Sequence, residues 1–318
     1  MSTQVETDAL PRKTRIHLGD VTLRGLAGAA ALLAVLTLVG IAYKVVDLSS
    51  DAISAFGLSF LTTNEWNAVT NQFGAADLIW GTAVTSIATL ILAVPIAIAI
   101  GLFLSELAPR RLRGPVGALV ELLAAIPSVV LGLWGILILG PFLEQHVEPS
   151  LTKHLGFIPL FSGTPSNVGL LPAILVLTIM VVPIVAAISR DLFDSVPSDL
   201  KNGSMALGST RWEMMRSVAI PQVSGGLVAA VMLGLGRAMG EAIAVTQVIG
   251  DTPRRGWSLF GQADTLASRI ASQYQGAATA LQASSLAYLA TILLVLSLLA
   301  NVSAQLIVRR IRRRMGTL

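Results

Sequence analysis

The stretch GLGRAMGE, residues 234–241, sets an arginine and a glutamate inside an apolar run that extends from Val223 to Gly250. Arg237 and Glu241 are four residues apart, so on a helix they share one face. Arg237 lies about 14 residues from each end of the run. At about 1.5 Å per residue that is too deep for full snorkelling to an interface. A charge at the centre of a bilayer costs roughly 2.5–3.5 kcal/mol on insertion scales, so something must offset it. Gly236 and Gly240 form a small-xxx-small step that lets another helix or a ligand approach closely. The chemistry open to the pair is oxyanion recognition. A guanidinium fork binds oxyanion oxygens at two points, and an ionised carboxylate accepts a hydrogen bond only from an oxyanion that still carries a proton. Two other roles fit the same spacing: Glu241 holding Arg237 in place, or an ion pair that only joins helices.

Other polar residues sit within reach of such a site. In AAIPSVVLG, Pro127 removes a backbone hydrogen bond and frees a carbonyl, and Ser128 offers a hydroxyl at that kink. A plain kink satisfied by its own helix is the alternative. Thr246 and Gln247, further along the run that holds Arg237, are candidates for the outer part of a path. Glu121 reads as interfacial.

These residues need a membrane to make sense of them. The chain has 318 residues, 54% hydrophobic and only 13% charged, against about 25% charged for a soluble domain. Six segments reach spanning length, near Gly25–Val46, Leu78–Leu107, Pro115–Phe142, Val168–Ser189, Val223–Gly250 and Ser284–Val308. The expected fold class is an all-α, six-span integral membrane protein. Arg12, Lys13, Arg15 and Arg24, then Arg110, Arg111 and Arg113, then Arg190, Lys201, Arg211 and Arg216, then Arg309 to Arg314 place most of the 22 basic residues on one side. The positive-inside rule makes that side, with both termini, cytoplasmic. The same placement explains the net charge of +4 without any nucleic acid partner. The first span, with an apolar core of about 19 residues and no small-x-small site after it, is too long for a cleaved signal peptide. Expected divisions are a tail over 1–24, a first span and extracytoplasmic segment over 25–75, a core over 76–308 and a basic tail over 309–318.

One cytoplasmic connection is longer than a linker needs to be. Residues 190–221 read RDLFDSVPSDLKNGSMALGSTRWEMMRSVAIP. Pro197 and Ser198–Asp199 supply a stop and an N-cap before a short helix from about Leu200. Gly208 and Ser209 break it. Thr210 with Glu213 forms a capping box for a second short helix over Thr210–Ala219. The exposed face offers Leu200, Met205, Ala206 and Leu207, which suits docking into a cytoplasmic partner or resting on lipid.

The spacing Gly208…Val218-x-Ile220-Pro221 resembles the EAA…G…I-x-LP coupling loop of ABC importer permeases, with Asn202, Gly203 and Ser204 where that pattern has Glu-Ala-Ala. FLTTNEWN, NQFGAADLIWGTAVTS, ELLAAIPSVVLGLWG, VVPIVAAISRDLFDSVP, ALGSTRWE and GLGRAMGEAIAVTQVIG, in that order from Phe60 to Gly250, are together similar to the PstC-type permease subunits of phosphate ABC importers. The resemblance implies a type I (MetI-like) importer permease in a bacterial inner or plasma membrane. It implies a PstA-type second permease, two PstB-type ATPase subunits and a PstS-type extracytoplasmic phosphate-binding protein. Arg237, Glu241, Ser128, Pro127, Thr246 and Gln247 then fall on the phosphate path. Asn202, Ala206, Leu207, Gly208, Thr210, Arg211, Trp212 and Glu213 fall on the ATPase contact. An importer of another oxyanion and the PstA-type partner itself are the alternatives.

Exclusions agree with a transporter subunit rather than an enzyme. A P-loop needs Gly-x4-Gly-Lys-Ser/Thr, and the only lysines, Lys13, Lys44, Lys153 and Lys201, lie outside any such setting. ATP and magnesium are therefore expected on a partner ATPase, with no cofactor on this chain. There is no cysteine, and His17, His146 and His154 have no ligand spacing. No serine–histidine, paired-aspartate or metal constellation falls inside the spans, which leaves no intramembrane hydrolase. A channel or carrier working alone would have no use for a docking loop.

Overall fold

The computed structural model describes residues 18–252 and 256–314. The expected tail residues Arg12, Lys13, Arg15 and His17, as well as Arg254 and Arg255, lie outside them. The described chain is mostly helical: α1 (Leu18–Leu48), α2 (Ser50–Phe56), α3 (Ala76–Leu107), α4 (Arg110–Ala125), α5 (Ser128–Leu155), α6 (Leu170–Asp194), α7 (Ser198–Ala206), α8 (Arg211–Gly240), α9 (Ile243–Val248), α10 (Leu266–Gln273) and α11 (Ala280–Arg314). A two-residue antiparallel ladder, β1 (Trp66–Asn67) with β2 (Gln72–Phe73), is the only sheet among the described residues. Six of the helices, α1, α3, α5, α6, α8 and α11, are long and apolar enough to cross a bilayer.

The chain separates into two compact units, 1–44 and 45–318. In the first, the α1 side chains from Thr22 to Lys44 are exposed at every position but Ala42. The second unit is built around α3 and α6. Ala93, Ala97, Val181, Val185 and Ala186 share one buried cluster, and Gly101 brings the α3 backbone against Ser189 and Arg190, where a Cβ would sit 2.8 Å from the Ser189 Cβ.

The segment before α3 folds back onto α10 and α11. Phe60 stacks on Tyr288 with ring centroids 4.6 Å apart, and the Trp66 indole N–H donates to Gln273 Oε1 at 2.7 Å. The loop after α9 is fastened to α3: the Leu266 amide donates to Thr82 Oγ1 at 2.9 Å, and the Asp264 carbonyl fills the place where a Cβ on Gly81 would be. Arg269, in α10, pairs with Asp264 of this loop at 2.5 Å, both almost fully buried. Burial pushes the Asp264 carboxyl up to about 6, and Arg269 pulls it the other way.

Three expected boundaries shift. The segment Pro115–Phe142 is not one span, because the chain breaks at Ile126–Pro127 and the spanning helix begins at Ser128 and runs to Leu155. Proline has no N–H to donate and pushes the residue before it out of helical geometry, and Ile126 sits at ψ 127°. The short helix expected over Thr210–Ala219 is instead the first part of the fifth span. Arg211–Met214 passes through one wide turn, Met215–Ala219, straight into Ile220–Gly240. Pro221 gives the reason, since it cannot donate to the Ser217 carbonyl four residues back. The run Val223–Gly250 also divides, after Gly240.

Candidate functional site

The break after Gly240 falls between the two charged residues. Arg237 is in the last turn of α8, and Glu241 leaves the helix at φ −71°, ψ 115° before α9 starts at Ile243. No proline is involved. Gly234, Gly236 and Gly240 each weaken a helix by about 1 kcal/mol relative to alanine. The Glu241 carboxylate, one residue before the N-cap Ala242, accepts from the Ala244 amide of α9 at 3.4 Å. It also lies 3.6 Å from the Arg237 guanidinium. The Arg237 side chain is 41% exposed and that of Glu241 only 9%. The glutamate is thus held by its own chain, and the arginine stays open. A cation in the last turn of a helix also meets the negative end of the helix dipole.

Non-helical backbone within a membrane is tolerated only where protein buries it or a water-filled cavity lines it. A second break, at Ile126–Pro127, comes just before the spanning helix α5. Both breaks feed helices that pack together. A Cβ on Gly132 of α5 would touch Ala244 Cα at 2.9 Å, and one on Gly135 would touch Val248 Cγ1 at 2.7 Å. Rising numbers on one helix meet rising numbers on the other, so α9 and the start of α5 run parallel. The Pro127–Ser128 and Glu241–Ala242 breaks therefore lie at the same end of this pair.

Thr246 and Gln247 sit beyond the break. The Thr246 hydroxyl donates to the Ala242 carbonyl at 2.7 Å, the ordinary use of a helical threonine. The Gln247 amide is wedged against Gly132, with Oε1 3.0 Å from the position of a Cβ there. Gln247 lines the α5–α9 seam, while the Thr246 hydroxyl lies 3.5 Å from the Ser268 carbonyl of α10.

At the opposite end of α8 the loop is as compact as its sequence suggests. Helix α7 starts at Ser198, so Ser198 and Asp199 form its first turn and Pro197 its cap position, one step earlier than expected. Gly208 has φ +91°, a conformation glycine adopts freely and branched residues resist. The capping box is present: the Thr210 amide donates to Glu213 Oε2 at 2.8 Å, and the Glu213 amide to Thr210 Oγ1 at 3.3 Å. Asn202, Ala206, Arg211 and Trp212 are exposed with Leu207, which is 91% accessible.

A cluster beneath this loop carried no sequence signal. Lys201 Nζ lies 2.5 Å from Glu106 Oε1 and donates to the Phe193 carbonyl at 2.9 Å. The Ser105 hydroxyl donates to Asp194 Oδ1 at 2.6 Å. Together these tie α7 to the ends of α3 and α6. Lys201 and Glu106 are 95 residues apart, so only the fold brings them together. On α6, Arg190 reaches Glu121 of α4 at 3.4 Å, which places Glu121 in a surface ion pair.

Comparisons with known proteins identify the family. Residues 93–313 match the family described as binding-protein-dependent transport system inner membrane component. A phosphate transport system permease protein PstC of Mesorhizobium japonicum is 43% identical over 95% of this chain and 94% of that protein. The protein of the same description from Pasteurella multocida is 42% identical over 99% and 98%. Among solved structures, a bacterial alginate ABC transporter in complex with an alginate pentasaccharide-bound periplasmic protein aligns with TM-score 0.58 at 18% identity, over 91% of this chain and 97% of that one. An inward-facing MetNI methionine ABC transporter aligns with TM-score 0.55 at 22% identity, over 74% and 94%. At these identities the structural matches speak to the fold. With six spanning helices, the family match and full-length relatives at this identity, the chain is a multi-pass membrane permease subunit that belongs to the binding-protein-dependent transport inner-membrane components, among the PstC-type permeases.

Proposed function

We propose that this chain passes inorganic phosphate through an ATP-driven importer, with Arg237 as the anion contact at the helix break and Glu241 as the group that holds it. The observation that carries this reading is the exposed guanidinium of Arg237 in the last turn of a spanning helix, beside a largely covered carboxylate that accepts from the Ala244 amide of α9. Phosphate at neutral pH keeps a proton, and Glu241 can accept it in a hydrogen bond that sulfate cannot offer. A transit site must bind weakly enough to release, and an anion competing with Glu241 for one guanidinium meets that need. The parallel α5–α9 pair brings the Pro127–Ser128 break to the same end as this site, which supports Ser128 as a further polar group on the path.

The remaining parts follow from the family. A PstA-type permease completes the pathway, and two PstB-type ATPases bind ATP and magnesium. They dock on the loop 190–221 through Asn202, Ala206, Leu207, Gly208, Thr210, Arg211, Trp212 and Glu213. A PstS-type protein delivers phosphate to the other face. The basic residues flanking this loop make its side, and both termini, cytoplasmic. The test is reconstitution of the four-component complex in vesicles with phosphate-loaded binding protein outside and ATP inside. Labelled phosphate should accumulate in step with ATP hydrolysis while sulfate does not. ATP hydrolysis stimulated by the loaded binding protein without phosphate accumulation would refute the assignment.

A further inference from the structure

Between α8 and α11 lies an open groove of about 480 Å³, lined on one wall by Gly225, Ala229 and Leu233 and on the other by Asn301, Gln305 and Arg309. At about 30 Å³ per molecule it has room for on the order of ten waters. Nothing in the oxyanion chemistry of Arg237 and Glu241 uses it. Asn301, Gln305 and Arg309 are spaced four residues apart, so they form one stripe roughly 12 Å long on α11. All three are exposed. Asn301 and Gln305 fall within the spanning part of α11, which ends at Ile307 just before Arg309, and amides facing hydrocarbon there would leave donors without partners. The stripe therefore reads as the wall of an aqueous path. The rest of the lining is apolar, including Val228, Met232 and Ala304; its three polar groups can all donate hydrogen bonds, and no carboxylate lines the groove among the described residues, so the polar stripe complements an anion.

The groove also leads to the helix break. On α8, Gly225, Ala229 and Met232 lie on one face, which Gly236 and Gly240 continue at helical spacing toward Arg237 and Glu241. Both glycines have open space where a Cβ would stand. Gly225, Ala229, Gly236 and Gly240 keep that face low, with Met232 the one large side chain on it.

We propose that this groove is the inner half of the phosphate path, running from Arg237 to the end of α11, with Asn301, Gln305 and Arg309 as its anion-facing donors. The inference rests on the phosphate reading above and extends it to residues outside the α8–α9 break. Its occupant is the hydrated phosphate ion. An acyl chain or a helix of the second permease in the groove are the competing outcomes.

The chain contains no cysteine, which makes single-cysteine labelling clean. Gln305→Cys in the assembled complex, in vesicles with the ATPase side outward, is treated with a negatively charged, membrane-impermeant methanethiosulfonate. Labelling is expected without nucleotide, slowed by millimolar phosphate and more weakly by sulfate. Asn301→Leu with Gln305→Leu removes two donors to an anion, and uptake should fall about tenfold or more at normal complex yield. No labelling with or without nucleotide would place lipid or a neighbouring helix in the groove and overturn the proposal. Wild-type uptake by the double leucine variant would overturn it too. Arg237→Gln, run alongside, separates the two readings. Uptake lost there but kept in the double leucine variant refutes the groove alone, and uptake kept in Arg237→Gln refutes the phosphate contact itself.

Discussion

Replacing Lys201 with methionine tests whether the docking loop is latched to the spans or merely adjacent to them. The substitution keeps the aliphatic stem and deletes the ammonium. It leaves Glu106, whose side chain is 13% exposed, with the Ser105 hydroxyl at 3.3 Å and no cation. Stripping one partner from a fully buried pair costs about 3–5 kcal/mol, and this pair is not fully buried. Lys201 also loses its bond to the Phe193 carbonyl, worth about 1 kcal/mol or somewhat more for a charged donor. A loss of about 2 kcal/mol is the reasonable middle, which shifts the latched-to-open equilibrium of α7 roughly thirtyfold. Hydrogen exchange of the α7 amides in the purified complex reads that shift directly, because exchange rates follow local opening. Protection of residues 198–206 should drop by about that factor, with α3 and α6 little changed. Lys201→Met with Glu106→Leu should recover most of it, since no charge is then stranded. Unchanged protection in the single variant, or a double variant as open as the single, would refute the latch.

Three further outcomes follow from particular contacts. Gly208→Val forces a branched residue to φ +91° where nothing crowds a side chain, so backbone strain alone, about 1–2 kcal/mol, should weaken ATPase pull-down without removing the chain from the membrane. Gly81→Ala places a methyl against the Asp264 carbonyl and should release the loop 250–279 from α3, seen as faster proteolysis between Gly250 and Thr279. Asp264 rises from 3.8 to about 6 in the fold. The stability it contributes is complete below 3.8 and lost as pH rises through 6, so the loop should be better protected from exchange at pH 5 than at pH 7.5. Asp264→Asn should flatten that dependence.

Much of this architecture was legible in the sequence because spanning helices announce themselves by length and hydropathy alone. The capping box Thr210–Glu213 was also readable, being a local pattern with a local physical cause. Its context was not: a cap marks where a helix begins, not where it ends, and this one begins a spanning helix. Pro127 signals a disruption, and only packing decides whether that is a kink or the end of one helix and the start of another. The break at Glu241 left less trace. The apolar run continues across it, and glycines lower helix stability without fixing where the helix gives way. Consequently Arg237 read as mid-helix, although it stands at a helix end. Lys201–Glu106 and the groove donors Asn301, Gln305 and Arg309 were beyond reach for a different reason. Each residue is unremarkable in its own segment and gains a role only from a partner element.

The central claim is that phosphate passes Arg237, and parallel measurement of uptake and complex yield tests it most directly. Arg237→Gln, Glu241→Gln and the double glutamine variant are compared in the assembled transporter. If the pair lies on the path, all three should assemble normally and lose most phosphate uptake, and Glu241→Gln should admit sulfate more readily. If the pair is scaffold, each single variant strands a charge and should lose assembly, and the double variant should recover assembly and uptake together. That second pattern would contradict the account.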